Sequence, residues 1–361
     1  MRRWKKKILF FILYCVFLLV CCEAAIRLLI YVDSPFKKRL LFLDSNDSSR
    51  RLRFIERRTR YGRPERSYNK YDPLRGWALR PDLRGLVVSY TEVINTNSKG
   101  IRGIVEYDYE KPEGKKRILV LGDSFTFGVG VKDNETYPYF LQEMLPGAEV
   151  INFGVPGYGH DQMLIYLKEE GIKYKPDIVI LGFLTGDMPR NIWAFIDYAK
   201  PNFKVINGRL TLMNSPVPSV EVMLKKEFYR LKVLDILNAI YKESRWKRGL
   251  DADEMYKVTQ AMLVEMVKTI KAMGALPVFV YLPDGLDTED ETRDDFFSTF
   301  CLSQKVDCLS LRSVFNERLG KGETLRAGPG SHYSIWGNQV IAGEIKGYLA
   351  EKTLLDNPAG L

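Results

Sequence analysis

Residues 118–128 read ILVLGDSFTFG. Positions 118–121 are an uninterrupted apolar run, which is typical of a strand buried on both faces of a parallel sheet. The run ends at Gly122 and Asp123 and leads into Ser124 and a second turn of small residues. A strand that only fills a core needs no hydroxyl at its end. A nucleophilic serine is expected at such a position, because functional residues of these folds lie at the carboxyl ends of the strands. Ser124 is therefore the candidate nucleophile.

Similar apolar runs recur along the chain and alternate with helical patterns. The runs are RILVLG, AEVINFG, DIVILGF, LPVFVYLP and VDCLSL. Among the stretches between them, ADEMYKVTQAMLVEMVKTIKAMG carries apolar residues at steps of three or four, which favours core packing. The alternation predicts an α/β fold, a three-layer α/β/α sandwich around a mainly parallel sheet. Functional residues of such folds gather at the carboxyl ends of the strands.

The net charge of +9 belongs to the N-terminal part of the chain. Residues 1–116 carry 26 Lys and Arg against 13 Asp and Glu, a balance of +13, and the remainder carries 28 against 32, a balance of −4. A nucleic-acid-binding domain would carry its basic surface on the folded body. The charge distribution therefore argues against nucleic acid as a partner.

The N-terminus combines a basic stub, MRRWKKK, with a long apolar segment. Residues 8–22 are uncharged, and the apolar pattern continues to Val32 with Glu23 and Arg27 as its charged residues. The segment 8–32 is long enough to span a bilayer of roughly 30 Å. The basic cluster before it predicts a cytoplasmic N-terminus and an extracytoplasmic body, periplasmic in a Gram-negative cell. We interpret residues 1–32 as a signal anchor; a cleaved signal peptide is the alternative, although no small-x-small cleavage site follows.

Three further segments precede or interrupt the α/β pattern. Residues 33–70 are basic and polar and are predicted to be a juxtamembrane stalk, and residues 71–116 a small β-rich segment. The main domain is expected at 117–355. Within it, residues 192–250 break the alternation and are interpreted as a cap insertion, which begins with an Asn207-Gly208 hairpin.

Cysteine and histidine usage limits the kinds of site. Three of the five cysteines lie in the apolar segment, and the pair Cys301 and Cys308 is compatible with a disulfide or with a small buried hydrophobe. The sequence has no CxxC or HExxH spacing and only two histidines, so no metal site is predicted.

A serine hydroxyl needs a base within hydrogen-bond reach. His160 opens a predicted helix, where it fits as a polar first-turn residue. His332 lies in GPGSHYSIWGN, a Gly- and Pro-containing loop before the last helix, which suits a base presented at the sheet edge. Two further loops follow strands, INFGVPGYGHDQ with Gly154 and Gly157, and ILGFLTGDMPRN with Gly186, Asp187 and Asn191. Backbone amides in such loops can form an oxyanion hole.

The stretch from about 71 to 350 resembles the SGNH/GDSL hydrolases, in particular the membrane-anchored, extracytoplasmic type. GDS at 122–124 matches the family's first block, NFGVPGYG at 152–159 the second, and HYSxxGN at 332–338 the last. The resemblance implies a flavodoxin-like sheet, Ser124 as nucleophile and His332 as base. It also implies that the amides of Ser124 and Gly154 hold the oxyanion, and that no cofactor takes part.

Two positions depart from the family's pattern. The third block usually supplies an asparagine to the oxyanion hole, and here Gly186, Asp187 or Asn191 occupies that stretch. The family's acid usually lies two or three residues before the histidine, where this chain has Gly330 and Pro329. Two hypotheses remain for the orientation of His332. A backbone carbonyl orients it in a Ser-His dyad, or Asp187 serves as the acid.

These residues support two functional hypotheses. The first is a serine O-acyl hydrolase or acyltransferase that acts on an acylated glycan or lipid of the cell envelope, with Tyr333 and Trp336 as candidate substrate contacts. The second is a non-catalytic binding or scaffold protein of the envelope. In both hypotheses residues 8–32 contact the membrane. A partner in envelope assembly is compatible with both, and the sequence does not name it.

Overall fold

The computed structural model describes residues 2–32, 35, 47–61, 67–88, 93–284, 291–327 and 332–355. The chain forms two compact units. The first unit comprises residues 1–63, 195–199 and 218–253. The second comprises residues 64–194, 200–217 and 254–361 and carries the motifs described above.

The described residues contain the following regular elements. The strands are β1 (Asn69–Asp72), β2 (Gly76–Leu79), β3 (Leu86–Val87), β4 (Val93–Ile94), β5 (Lys116–Gly122), β6 (Ala148–Gly154), β7 (Ile178–Phe183), β8 (Asn202–Ile206), β9 (Arg209–Met213), β10 (Leu276–Tyr281) and β11 (Asp307–Ser310). The helices are α1 (Arg2–Tyr31), α2 (Asp47–Tyr61), α3 (Ser124–Phe127), α4 (Tyr137–Met144), α5 (His160–Glu169), α6 (Val220–Tyr229), α7 (Lys232–Lys247), α8 (Leu250–Ala272), α9 (Glu291–Gln304), α10 (Arg312–Gly320) and α11 (Ile335–Glu351). Turns of 3₁₀ helix cover Asp133–Glu135, Gly171–Tyr174 and Thr185–Ile192.

A five-stranded sheet is the framework of the second unit. Its order is β11-β10-β7-β5-β6, and all neighbouring strands are parallel. This is the flavodoxin-like order. Because the strands are parallel, their carboxyl ends meet at one edge, and that edge receives the loops after β5, β6, β7 and β10. The predicted fold class is confirmed.

Both faces of the sheet are buried. Successive side chains of a strand point to opposite faces. In β5, Ile118 and Val120 belong to a core cluster with Ile341 of α11, while Leu119 and Leu121 on the other face are equally buried. The Met255–Ile270 stripe of α8 is buried as well, as expected of core packing. Helices therefore cover the sheet on both sides, and the result is the three-layer sandwich.

The β-rich segment before the domain is also present. It consists of two antiparallel pairs, β1 with β2 and β3 with β4. The Trp77 indole nitrogen donates to the Pro156 carbonyl oxygen at 3.1 Å, and the Tyr158 hydroxyl donates to the Trp77 carbonyl oxygen at 2.6 Å. These two bonds fix the loop that follows β6.

The N-terminal helix α1 is long and apolar enough to cross a membrane, and a signal sequence near the N-terminus would meet the same criteria of length and composition. The predicted stalk is helical in part, because α2 covers residues 47–61, whereas residues 33–34, 36–46 and 62–66 lie outside the described residues. The helix α2 packs through Leu52 against Ile236 and Ala239 of α7, together with Ile26 and Ile30 of α1.

The segment 192–250, predicted as one cap insertion, is divided between the units. Its hairpin, β8 with β9, belongs to the second unit, while residues 218–253 belong to the first. Asn207 and Gly208 both have positive φ, 50° and 74°, which is the two-residue turn that the sequence predicts. Cys301 and Cys308, left open by the sequence, are joined by a disulfide.

Candidate active site

Ser124 is the first residue of a very short helix that starts directly after β5. The buried Asp123 caps this helix, because its Oδ1 accepts the Phe125 amide at 2.9 Å. The helix ends after one turn at Gly128, whose φ of 86° suits glycine. The chain therefore reverses sharply at the strand tip and leaves the half-buried Ser124 at the carboxyl edge of the sheet.

Three glycines let this turn approach the sheet. A Cβ on Gly122 would lie 1.9 Å from Thr126 Oγ1, and one on Gly154 would lie 2.2 Å from the Phe127 amide nitrogen. A Cβ on Gly182 would lie 2.7 Å from Thr126 Oγ1. A side chain at Gly154 would meet the backbone of α3 itself, and one at Gly122 would meet the base of the Thr126 side chain, so both positions need glycine. At Gly182 the close neighbours are side-chain atoms, which would have to shift.

His332 meets Ser124 at this edge. Its Nε2 lies 2.8 Å from Ser124 Oγ, within hydrogen-bond distance. Ser124 Oγ also lies 3.2 Å from Asp123 Oδ2, a longer contact. The imidazole ring packs against Phe125, with 4.6 Å between ring centroids. The structure thus brings together the nucleophile and base that the sequence predicts, from positions 208 residues apart.

The residues that follow His332 hold it in place. The buried Tyr333 donates its hydroxyl to the Pro283 carbonyl oxygen at 2.6 Å, and Ser334 caps α11. Asn338 Oδ1 accepts the Tyr137 amide at 2.9 Å, and a Cβ on Gly337 would lie 2.2 Å from the Leu325 carbonyl oxygen. The HYSxxGN motif therefore ties the histidine loop to the sheet and to α4.

Some backbone amides in the loops at this sheet edge already donate a hydrogen bond, and others do not. The amide of Gly154 donates to Asn152 Oδ1 at 2.9 Å, and that of Gly186 donates to Asp284 Oδ2 at 3.0 Å. Within the described part of the chain, the amides of Ser124 and Gly157 have no hydrogen-bond acceptor. Gly157 has a φ of 82° and is half-buried. Ser124 and Gly157, rather than Gly154, therefore offer free donors in this arrangement.

Asp187, one of the two hypotheses for orienting His332, lies elsewhere. Its buried carboxylate is 2.5 Å from Arg190 Nη1, and neither of its oxygens accepts a hydrogen bond from His332. Burial raises the pKa of Asp187 well above its ordinary value, against the attraction of Arg190. Asp187 therefore contacts Arg190 rather than His332, and its candidate role as the acid is not supported by its position.

Asn191, the candidate oxyanion donor of the third block, is also withdrawn from the site. It is fully buried, and its Nδ2 lies 3.1 Å from His160 Nδ1 and 2.8 Å from Thr259 Oγ1. The two candidate aromatic contacts differ from each other. Tyr333 is core, packed edge-on against Phe125 and Phe315. Trp336 is exposed, and its indole donates to Glu323 Oε2 at 2.7 Å.

Sequence reasoning overlooked two charged residues at this edge. Arg190 Nη1 lies 3.2 Å from Asp123 Oδ2 and donates to the Tyr158 carbonyl oxygen at 2.8 Å, so it joins the loops after β5, β6 and β7. Asp284 follows β10 in LPDG. The signal for Asp284 was its place, a carboxylate directly after the fourth parallel strand. Among the residues that the structure describes, no group of His, Cys, Asp and Glu could hold a metal ion.

The comparisons with known proteins identify a family. Residues 120–340 match the model of the GDSL-like lipase/acylhydrolase family. A search of curated protein sequences found no match.

Solved structures of this family also align with the chain. A member of the lipolytic G-D-S-L family from Veillonella parvula DSM 2008 is 13% identical over 64% of this chain and 97% of its own, with a TM-score of 0.41. The lipase/acylhydrolase from Enterococcus faecalis is 16% identical over 66% and 96%, with a TM-score of 0.40. Esterase EstA from Pseudoalteromonas sp. is 14% identical over 67% and 100%, with a TM-score of 0.40.

Proposed function

Because the chain belongs to the GDSL-like lipase/acylhydrolase family, we propose that it is a serine O-acyl hydrolase or acyltransferase that works through Ser124 and His332. The observation that carries this proposal is the 2.8 Å separation of Ser124 Oγ and His332 Nε2 at the carboxyl edge of the sheet. A serine hydroxyl is a weak nucleophile until a neighbouring base takes its proton. His332 is the base within reach.

The proposed reaction has two steps. Ser124 Oγ attacks the ester carbonyl carbon while His332 Nε2 takes the hydroxyl proton, and the tetrahedral intermediate then expels an alcohol that receives this proton. The acyl group is left on Ser124. In the second step water, or a sugar hydroxyl in a transferase, gives its proton to Nε2 and attacks the acyl carbon. The resulting intermediate breaks its bond to Ser124 Oγ, which takes the proton back from Nε2, and the acid or the new ester leaves.

We assign stabilisation of the oxyanion to the amides of Ser124 and Gly157. Both donors have no acceptor among the described residues, whereas the Gly154 amide is bonded to Asn152. The loss of one such donor typically costs about 3–4 kcal/mol in the transition state. Gly154 then acts by letting the Thr126–Phe127 backbone approach β6.

We assign to Asp284 the positioning of His332. It lies at the same sheet edge as Ser124, and its Oδ2 accepts the Gly186 amide at 3.0 Å. The carbonyl of its neighbour Pro283 accepts the hydroxyl of Tyr333, the residue after His332. Pro283 and Asp284 thus contact the histidine loop and the β7 loop respectively, which supports a positioning role for this carboxylate from outside the family's usual position.

For the substrate we propose an acyl ester on a cell-envelope glycan or lipid. The support is location, since α1 fits a membrane anchor with the second unit outside the cytoplasm. The Cys301–Cys308 disulfide fits an oxidising compartment, because disulfides are rare in the cytosol. The exposed Trp336 suits contact with a sugar ring.

A non-catalytic envelope protein is the second candidate, and one observation favours it. The third-block residues that the family would use are occupied elsewhere, Asp187 by Arg190 and Asn191 by His160 and Thr259. A protein that had lost activity could keep the fold and bind acylated glycans.

Labelling with a fluorophosphonate probe separates the two candidates. The full chain in detergent is treated beside Ser124→Ala and His332→Ala, with intact mass as the readout. Ser98→Ala is the matched control, because Ser98 is exposed and its hydroxyl donates to Glu106 at 2.6 Å. Labelling of the wild type and of Ser98→Ala alone supports the enzyme. A folded wild type that stays unlabelled contradicts it and supports the binding protein.

A further inference from the structure

The helix α7 is apolar on the face that it exposes as well as on the face that it buries. Ile236 and Ala239 are buried against α1 and α2. On the opposite side, Leu234, Leu237 and Tyr241 follow one another at helical spacing and are more than half exposed. A surface helix normally carries polar residues there, and a helix that is apolar all round is normally covered.

The preceding helix extends this surface. The side chains of Phe228 and Tyr229 at the end of α6 are 74% and 82% exposed, and Leu231 between the two helices is exposed too. We call Phe228, Tyr229, Leu231, Leu234, Leu237, Ile240 and Tyr241 the α6–α7 apolar face. Contiguous exposed groups of this kind mark a site of protein or membrane contact.

The start of α7 is held on α1 by specific bonds. The Glu23 carboxylate accepts the amides of Lys232 and Val233 at 2.9 and 3.0 Å, which are the first two amides of α7. Arg27 is paired with Glu23 at 2.6 Å and donates to the Arg230 carbonyl oxygen at 3.0 Å. An anion at a helix N-terminus is favourable, because the free amides and the helix dipole both attract it.

The position of Glu23 along α1 sets the level of this attachment. A helix needs about 20 residues to cross the hydrocarbon core of a bilayer. Counted from Ile8, those residues end at Arg27, so Glu23 lies about four residues, or roughly 6 Å, inside the boundary. A carboxylate at this depth is costly unless it is paired and hydrogen-bonded. Arg27 and the amides of α7 supply those partners, and they bring the start of α7 to the level of the lipid.

We propose that the α6–α7 apolar face is embedded in the lipid of the bilayer surface at the C-terminal end of α1. The first unit is then a membrane module in which α1 crosses the bilayer and α6 and α7 lie along it. The inference rests on the proposed membrane anchor but not on the esterase activity. Lipid is the occupant that the structure favours, because this face is attached within the apolar span of α1 itself.

Fluorescence quenching of a label at position 237 tests the proposal. The full chain with Cys15, Cys21 and Cys22 changed to Ala receives Leu237→Cys, is labelled with the fluorophore NBD, and is reconstituted into vesicles of phosphatidylcholine and phosphatidylglycerol. Ile104→Cys is the matched control, since Ile104 is an exposed apolar residue of the second unit. Leu18→Cys reports on α1.

We expect acyl-chain doxyl groups to quench most of the emission at positions 237 and 18 and little at 104, and aqueous iodide to do the reverse. If iodide quenches position 237 as it does 104 while lipid quenches 18, the anchor stands and the inference is wrong. If 237 resists both quenchers, protein rather than lipid covers the face. If lipid fails to quench 18, the anchor and the inference both fail. Fluorophosphonate labelling of the same samples reports on the esterase separately.

Discussion

The two histidines of the chain lie in opposite environments. His332 is half-buried on a loop, with its Nε2 against Ser124 Oγ at 2.8 Å. His160 is fully buried, stacks on Phe183 with 4.8 Å between ring centroids, and has Asn191 Nδ2 against its Nδ1. Burial, together with the charge of Arg190, lowers the pKa of His160 to about 3.

The difference separates the proposed base, which is accessible to solvent, from a histidine that burial keeps neutral. Both histidines follow a glycine-containing loop and lie at or shortly before the start of a helix, so their sequence contexts are similar. Their access to solvent and the partner of each ring nitrogen decide their roles. His160 and Asn191 together form a buried polar contact that fixes the Thr185–Ile192 turn beside α5 and α8.

The largest expected effect comes from replacing each of the two histidines separately and comparing the activities. His332→Ala should lower kcat for a small ester such as p-nitrophenyl acetate by about 10⁶, the size found when one member of a serine-histidine pair is removed. His160→Gln should leave kcat near the wild-type value. Steady-state kinetics, with circular dichroism as the control for folding, checks both variants. If both variants fold and lose kcat equally, the proposed difference between the two histidines is wrong.

The next effect concerns what orients His332. Asp284→Asn should lower kcat by up to about 10⁴, as when the orienting acid of a triad is lost. The acid limb of the pH-rate profile should also move to lower pH, because an imidazolium deprotonates more easily once a nearby negative charge is removed. Asp187→Asn is the matched control, since its carboxyl is buried beside Arg190. An unshifted profile in Asp284→Asn would show a merely structural role.

A smaller effect is expected on stability, from His160. Because its pKa is about 3 in the folded chain and about 6.5 when unfolded, the unfolded state binds more protons between these values. Its contribution to folding is complete above pH 6.5 and is lost as the pH falls. Between pH 7 and pH 5 the wild type should lose about 2 kcal/mol more unfolding free energy than His160→Gln. Urea titrations in detergent at the two pH values measure this difference, and parallel losses would refute it.

The smallest effect concerns how firmly His332 is held. Tyr333→Phe removes the hydrogen bond from the tyrosine hydroxyl to the Pro283 carbonyl oxygen. Because Arg326 still donates to this oxygen at 2.8 Å, the oxygen keeps a partner. The free energy of unfolding should therefore fall by only about 1 kcal/mol. Trp336→Phe removes an exposed indole contact and should leave stability unchanged. If Trp336 touches the substrate sugar, this second variant should raise KM at constant kcat for a glycan ester. Denaturation and kinetics on both variants provide the comparison.

Local signals in the sequence were sufficient for the fold and for predicting that Ser124 and His332 lie side by side. Apolar runs of strand length gave the parallel sheet, and the turns around Ser124 and His332 placed both residues at its carboxyl edge. The Asn207-Gly208 turn was equally local. Each of these depends on a few neighbouring residues whose backbone preferences agree.

Side-chain contacts between loops that are distant in the sequence could not be predicted from local patterns. Whether the carboxylate of Asp187 faces His332 or Arg190 depends on how the 3₁₀ turn after β7 packs, and Asn191 was buried by contacts with α5 and α8. Asp284, the proposed positioning residue, lies far from His332 in the sequence and outside the family's spacing near the histidine, so no local pattern indicated it. The division of residues 192–250 between two units likewise follows from packing of α6 and α7 with α1 and α2, which no local pattern encodes.

The three glycines under the nucleophile turn have a consequence for engineering. Gly122, Gly154 and Gly182 lie on adjacent strands; a methyl group would collide with the Thr126 side chain at Gly122 and with backbone at Gly154, and would require neighbouring side chains to shift at Gly182. A saturation library that aims to reshape the substrate pocket would therefore lose almost every clone altered at the first two positions, whatever ester is screened. Substitutions that change specificity are expected instead in the loops after the strands, which can vary while the turn that carries Ser124 keeps its position.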